Sequence, residues 1–164
     1  MKKFSLMAIA AVAILVLVPA VTRAQGAAKQ GPEVTRDSDL EKDSLHNLEV
    51  AWEYFKLKKA YVAALQRCEE IIAGNPTFSR IDKVLYIAGE SNLYLSEGKG
   101  KQKPSLYLRR EGGKPYTLTS DQFRNEARDY LSQLVNEYPD SQFRTEALED
   151  LKPLGGPKSK ESKQ

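Results

Sequence analysis

One spacing constrains this chain more than any other. Ala64, Cys68, Ile71, Ile72 and Pro76 are followed, 63 residues later in each case, by Ala127, Leu131, Leu134, Val135 and Pro139. Within each set the apolar residues recur at steps of four, seven and eight, which places them on one face of a helix. The proline closes that helix, because it lacks the N–H and clashes with the preceding turn. In the first copy Gly74 offers a left-handed cap just before it. After each proline a new helical pattern starts at once: TFSRIDKVL after Pro76 and DSQFRTEAL after Pro139. Asp140 and Ser141 carry side-chain oxygens that can cap the second of these. A short helix cannot bury its apolar stripe alone in water. A recurring pair of helices therefore predicts helical hairpins stacked side by side, the pattern of a solenoid.

Upstream of the first set lies another stripe, Leu45, Leu48, Ala51, Trp52 and Phe55, separated from it by a break at Lys58-Lys59. The period of 63 is long for a helix pair, and the surplus falls at 97–120 (EGKGKQKPSLYLRREGGKPYTLTS), which has no helical stripe. Here LYLRR and PYTLT flank Glu111-Gly112-Gly113-Lys114, and two glycines at a tip permit the positive backbone angles of a tight hairpin. That register sets Tyr107 opposite Leu118 and Arg109 opposite Tyr116, a cation–π pair. One face of so small a sheet needs a helix beneath it. Thr119 and Gln122 form a capping-box pattern for the next helix. A last helix, Ser141 to Lys152, would cover the end of the stack with Phe143, Ala147, Leu148 and Leu151 before Pro153 and Gly155-Gly156 stop it. The expected fold is all-α: about two and a half helical hairpins over 37–153, with a β-hairpin insert at 97–120 in the second repeat.

The ends read differently. Lys2 and Lys3 precede thirteen apolar residues, Leu6 to Val18, fewer than the roughly 20 a spanning helix needs. Small side chains at Thr22 and Ala24 suit cleavage after Ala24, so 1–24 reads as an export signal, with an uncleaved anchor as the alternative. Residues 25–36 read as a flexible leader and 154–164 as a disordered tail. Lys2, Lys3 and Arg23 account for the whole formal charge of +3. The remaining chain is near neutral, which removes the main support for nucleic-acid binding. Cys68 is the single cysteine, so no intrachain disulfide forms and no cysteine after the signal can carry a lipid anchor. The expected product is soluble and periplasmic or secreted.

Leu48, Ala51, Phe55, Tyr61, Ala64, Cys68, Ile71, Ile72 and Pro76 resemble the tetratricopeptide-repeat consensus, as do Leu85, Ala88, Gly89, Ala127, Leu131, Leu134, Val135 and Pro139 in the second copy. Two residues depart from it: Trp52 is large where a small residue is usual, and Lys59 stands where glycine is usual. The linker YPDSQFRTEAL, with Asn75-Pro76, Ser79, Leu85-Tyr86 and Gly89, is similar to bacterial envelope proteins of the BamD type and the Tol–Pal coordinator. That resemblance implies a scaffold whose concave surface holds a protein or peptide partner in outer-membrane assembly or envelope maintenance. It also implies groove positions at His46, Glu49, Glu53 and Lys56 on the first helix and Lys83, Tyr86, Glu90 and Leu93 on the third, with Tyr86 and Leu93 as anchors. The plain alternative for the charged members is a solvated face.

Nothing points to catalysis. His46 is the only histidine and has no companions for a zinc site. Cys68 sits at a core position of the repeat. Glu69-Glu70 are adjacent on a helix and diverge. Neither a nucleophile elbow nor a phosphate loop is present. A binding protein with no cofactor and no metal is expected. Lys99, Lys101, Lys103, Arg109, Arg110 and Lys114 make the insert basic. They offer a second reading as an anionic lipid or cell-wall binder, against ordinary protection of strand edges. Self-association across an open end of the stack is a third.

Overall fold

The computed structural model describes residues 37–159. The export signal, its cleavage after Ala24, the leader 25–36 and the tail beyond Ser159 lie outside the described residues. Among them are five α-helices: α1 (Ser38–Trp52), α2 (Tyr61–Gly74), α3 (Ile81–Ser96), α4 (Ser120–Glu137) and α5 (Arg144–Leu151). One antiparallel hairpin, β1 (Leu108–Glu111) and β2 (Lys114–Thr117), stands between α3 and α4. The protein is thus mostly helical with a small two-stranded sheet, and each helix packs against the next along the chain.

The 63-residue period is written into the backbone as well as the side chains. After α2, Asn75 N donates to Ile71 O, Phe78 N to Asn75 O and Ile81 N to Phe78 O; after α4, Tyr138 N donates to Leu134 O, Ser141 N to Tyr138 O and Arg144 N to Ser141 O. Every bond in the first turn has its counterpart in the second at the same offset. In this turn the proline needs no N–H donor, so it is accommodated without loss. The turn consumes residues 141–143, so α5 begins at Arg144 and not at Ser141. Ala64 on α2 and Ala127 on α4 are both fully buried, as close packing of paired helices requires.

Local chemistry fixes the remaining ends. Asp37 caps α1 by accepting from Asp39 N and Leu40 N. Thr119 and Gln122 form the expected capping box, with both reciprocal bonds present. Between α1 and α2 the chain widens into a π-type turn, Glu53–Lys58, and leaves it through Lys59 at φ 50°. The residue that replaces the usual glycine therefore still adopts the glycine conformation. A left-handed non-glycine residue costs about 1–2 kcal/mol, partly offset by the lower chain entropy lost than at glycine. Lys59→Gly is expected to raise stability by about 0.5–1 kcal/mol in urea denaturation. An unchanged or lower midpoint would show that the site is not strained.

The core runs from Leu48 and Phe55 through Ala64, Leu65 and Cys68 to Val84, Leu85, Ile87, Leu131, Leu134 and Leu151. α3 lies at its centre: Val84 through Asn92 are all buried. Phe55, Tyr61 and Tyr94 close one end as an aromatic cluster, with Tyr61 and Tyr94 stacked at 4.7 Å. Leu45, expected in the stripe of α1, is instead exposed.

The hairpin has the expected register, with Arg109 opposite Tyr116. The expected cation–π pair is different, however. The Arg109 guanidinium lies over the Tyr107 ring at 5.5 Å and forms ion pairs with Glu126 on α4 (2.8 Å) and Glu69 on α2 (3.3 Å). Tyr107 and Arg109 share one face of the strand, and that face meets two carboxylates, which hold a guanidinium more strongly than an aromatic ring does. Tyr107 and Leu118 are buried at the base, where Tyr107 packs on Phe123, while β2 is exposed throughout. Only the base of the hairpin rests on the helices.

Residues 154–159 also depart from the expected disorder. They run back along α4: Arg128 donates to the carbonyls of Gly155 and Gly156, Asn136 donates to the Lys158 carbonyl, and Lys158 N donates to Ser132 Oγ. An ion pair between Lys158 and Asp129 adds to these. Side-chain donors on α4 satisfy carbonyls that no helix or strand would.

Candidate functional site

α1 and the first residue of the π-type turn bring Leu45, Leu48, Glu49, Trp52 and Glu53 to one side, a spacing that defines a single helical face. The start of α3 brings Arg80 and Lys83 against it, and the seven residues line a groove of about 380 Å³. Trp52 is half-buried, with the Lys83 ammonium 4.1 Å and the Lys56 ammonium 5.0 Å from its ring centroid. Burial lowers the pKa of Lys83, as does neighbouring Arg80, against the opposing pull of Asp82 and Glu49. The groove thus has an apolar floor, an acidic wall from α1 and the π-type turn that follows it (Glu49, Glu53) and a basic wall at the start of α3 (Arg80, Lys83). Such a surface can seat an apolar side chain on Trp52 while opposite charges on either side fix the direction of the bound segment.

Of the eight groove positions expected from sequence, Glu49, Glu53 and Lys83 meet here. His46 and Lys56 are exposed beside it on the same helix and its π-type turn, and Leu93 is half-buried toward the far end of α3. Tyr86 and Glu90 are corrections: both are buried, at 1% and 4% exposure. The Tyr86 ring is stacked on Phe143 at 4.6 Å and 15°, so the N-terminal end of α5 covers the face that a partner was expected to reach. Leu45, Leu48, Trp52 and Arg80 were not anticipated as lining. Trp52 alone carried a signal, as the large residue where the consensus has a small one.

The α3–α5 contact has its own chemistry. Glu90 and Asp150 face one another, and Glu90 Oε1 and Asp150 Oδ2 are buried without a donor. Two carboxylates cannot satisfy each other; a carboxyl and a carboxylate sharing one proton can. Burial, then the Asp150 charge and its hydrogen bond, push Glu90 up to about 8. Burial also raises Asp150, with Glu146 and Glu149 adding to it. Tyr94 on α3 and Tyr86 beside α5 are raised first by burial and then by the neighbouring carboxylates Glu90 and Glu146.

Cys68 is fully buried on α2, and its thiol is pushed up by burial and by Glu69, which leaves it unreactive. Among the described residues no group of three or more His, Cys, Asp or Glu could hold a metal ion, and no helix is long and apolar enough to cross a membrane. The basic insert is divided: Arg109 is engaged as above and Lys99 is paired with Glu97 at 2.6 Å, whereas Lys101, Lys103, Arg110 and Lys114 are exposed. Comparison of the chain with family models, curated proteins and solved structures finds no match.

Proposed function

We propose that this chain is an exported, tetratricopeptide-like protein-binding scaffold of the bacterial envelope, and that it holds its partner in the α1–α3 groove. The observation that carries this reading is the groove itself: an apolar floor around Trp52 between walls of opposite charge, left open while the neighbouring α3–α5 groove is filled by the chain's own last helix. The recurrence of one turn at a 63-residue offset supports stacked helix pairs of the tetratricopeptide kind. In that architecture the first helix of each pair lines the binding face. The BamD-like linker and the signal-like first 24 residues support a role in outer-membrane assembly or envelope maintenance. No catalytic step is proposed, and the partner is a protein or peptide, not a nucleic acid.

A photo-crosslinking residue at Glu49, inside the groove, and another at Gln133, exposed on α4, provide the test in the full chain expressed with its envelope. A discrete adduct is expected from position 49 and not from 133, reduced about tenfold or more by Trp52→Ala combined with Arg80→Glu, since truncating a central aromatic anchor typically removes this much binding. Equal adducts from both positions, or a groove adduct indifferent to the double substitution, would overturn the assignment.

A further inference from the structure

Two lysine runs far apart in sequence, KLKK at 56–59 and KGKQK at 99–103, are brought to one edge of the molecule. The join is built into the fold. Lys101 N donates to the Lys59 carbonyl at 2.9 Å. Gln102 Oε1 accepts from Ala63 N at the start of α2. Gly100, at φ +95°, lies so close to the Tyr61 ring that a Cβ there would stand 2.5 Å from it. Lys56, Lys58, Lys59, Lys99, Lys101 and Lys103 are all exposed, and no acidic residue lies within either run. Glu97 flanks the second run and pairs with Lys99. In the midst of these charges Leu57 is 76% exposed, the most exposed large hydrophobic side chain in the described residues.

We infer that this edge is a docking surface for an anionic lipid bilayer, a site distinct from the partner groove, which it adjoins through Lys56. Lysines alone would serve any polyanion. A leucine held out into solvent among them gains free energy where an apolar phase lies just beyond the negative charge, as it does under lipid headgroups. A soluble acidic polymer offers nothing to that side chain. The surface differs from the basic insert read from sequence: it keeps Lys99, Lys101 and Lys103, leaves out Arg109, which is engaged with Glu69 and Glu126, and takes its other lysines from the α1–α2 turn. Each lysine near an anionic surface strengthens binding about fivefold, and the attraction falls with salt as the Debye length shortens.

The test is co-sedimentation of the full chain with vesicles of phosphatidylcholine alone or with about 30% phosphatidylglycerol, at about 50 and about 300 mM salt. Residues 1–24, an apolar run flanked by Lys2, Lys3 and Arg23, give every variant the same background on either vesicle, so differences between variants are read. Wild-type chain should partition onto the anionic vesicles at least about tenfold better than onto neutral ones, and lose most of that preference at the higher salt. Lys58→Glu with Lys101→Glu should lose about tenfold or more, and Leu57→Ser about two- to fivefold, both with unchanged thermal melts. Several results would overturn the inference. One is no anionic preference, or a preference insensitive to salt. Another is a preference kept by the double lysine variant. The last is soluble polyphosphate competing fully while Leu57→Ser binds like wild type, which would identify a general polyanion site.

Discussion

Thermal stability is expected to fall as pH rises from about 4.5 to about 8, and Glu90→Gln should remove most of that slope. The sign follows from the direction of the shift. In the unfolded chain Glu90 releases its proton at the ordinary value of 4.5, whereas in the folded protein it keeps it to about 8. Between those limits folding takes up a proton, so stability is greatest below the lower value and is lost as the upper one is passed. Asp150, also raised by burial, acts in the same direction. One proton corresponds to a slope of up to about 1.4 kcal/mol per pH unit. Over this window the melting temperature should drop by on the order of 10 °C. The glutamine amide donates to Asp150 at every pH, so the variant keeps the contact without the titration. A wild-type melt flat from pH 5 to 8, or an equal slope in Glu90→Gln, would show that no shared proton joins α3 to α5.

Gly89→Ala destabilises the protein although alanine is the better helix former. Gly89 lies at a close approach of α3 and α4: a Cβ would stand 2.6 Å from Leu131 Cγ and Cδ2 and 3.5 Å from the Ala127 carbonyl. Leu131 is fully buried and cannot swing clear. Helix propensity returns about 1 kcal/mol, while forcing a methyl into a packed contact costs about 1–3 kcal/mol. The net loss should be about 1 kcal/mol for alanine. Gly89→Leu should lose about 3 kcal/mol or more, enough to threaten folding. Gly74 is the internal control. It ends α2 in open space, with no atom within 4 Å of a built Cβ, so Gly74→Ala should raise stability by about 0.5–1 kcal/mol. Urea denaturation of the three variants is the measurement. Gly89→Ala and Gly74→Ala moving the midpoint in the same direction would contradict the close approach.

The parts of the molecule that were legible in the sequence are those whose causes are local. Pro76 and Pro139 end helices wherever they stand, and Thr119 with Gln122 caps α4 from within four residues. Gly112-Gly113 sets a hairpin register with little help from its surroundings. What escaped depends on distant chain. Tyr86 and Glu90 occupy groove positions by repeat spacing, but whether a groove stays open depends on the next element, and α5 fills this one. Arg109 was paired across the hairpin because the strands are neighbours, while Glu69, forty residues earlier, and Glu126 on α4 hold it in the fold. Residues 154–159 look disordered by composition, yet Arg128, Asn136 and Ser132 on α4 supply the hydrogen bonds that order them. The meeting of KLKK with KGKQK rests on the Lys101–Lys59 backbone bond, the Gln102–Ala63 bond and the fit of Gly100 against Tyr61, none of which leaves a trace in hydrophobic periodicity. Trp52 shows the opposite case: it stands out in sequence as a large residue where the consensus has a small one, but only the packing shows that it floors a groove.

Trp52 is also the only tryptophan in the chain, so the groove carries its own reporter. Titrating the full chain with the partner segment recovered by crosslinking at position 49 should shift tryptophan emission to shorter wavelength and protect it from acrylamide, with both effects lost in Arg80→Glu/Lys83→Glu. If the segment binds while the emission and quenching of Trp52 stay those of the free chain, the partner sits elsewhere and the α1–α3 groove is not the binding site.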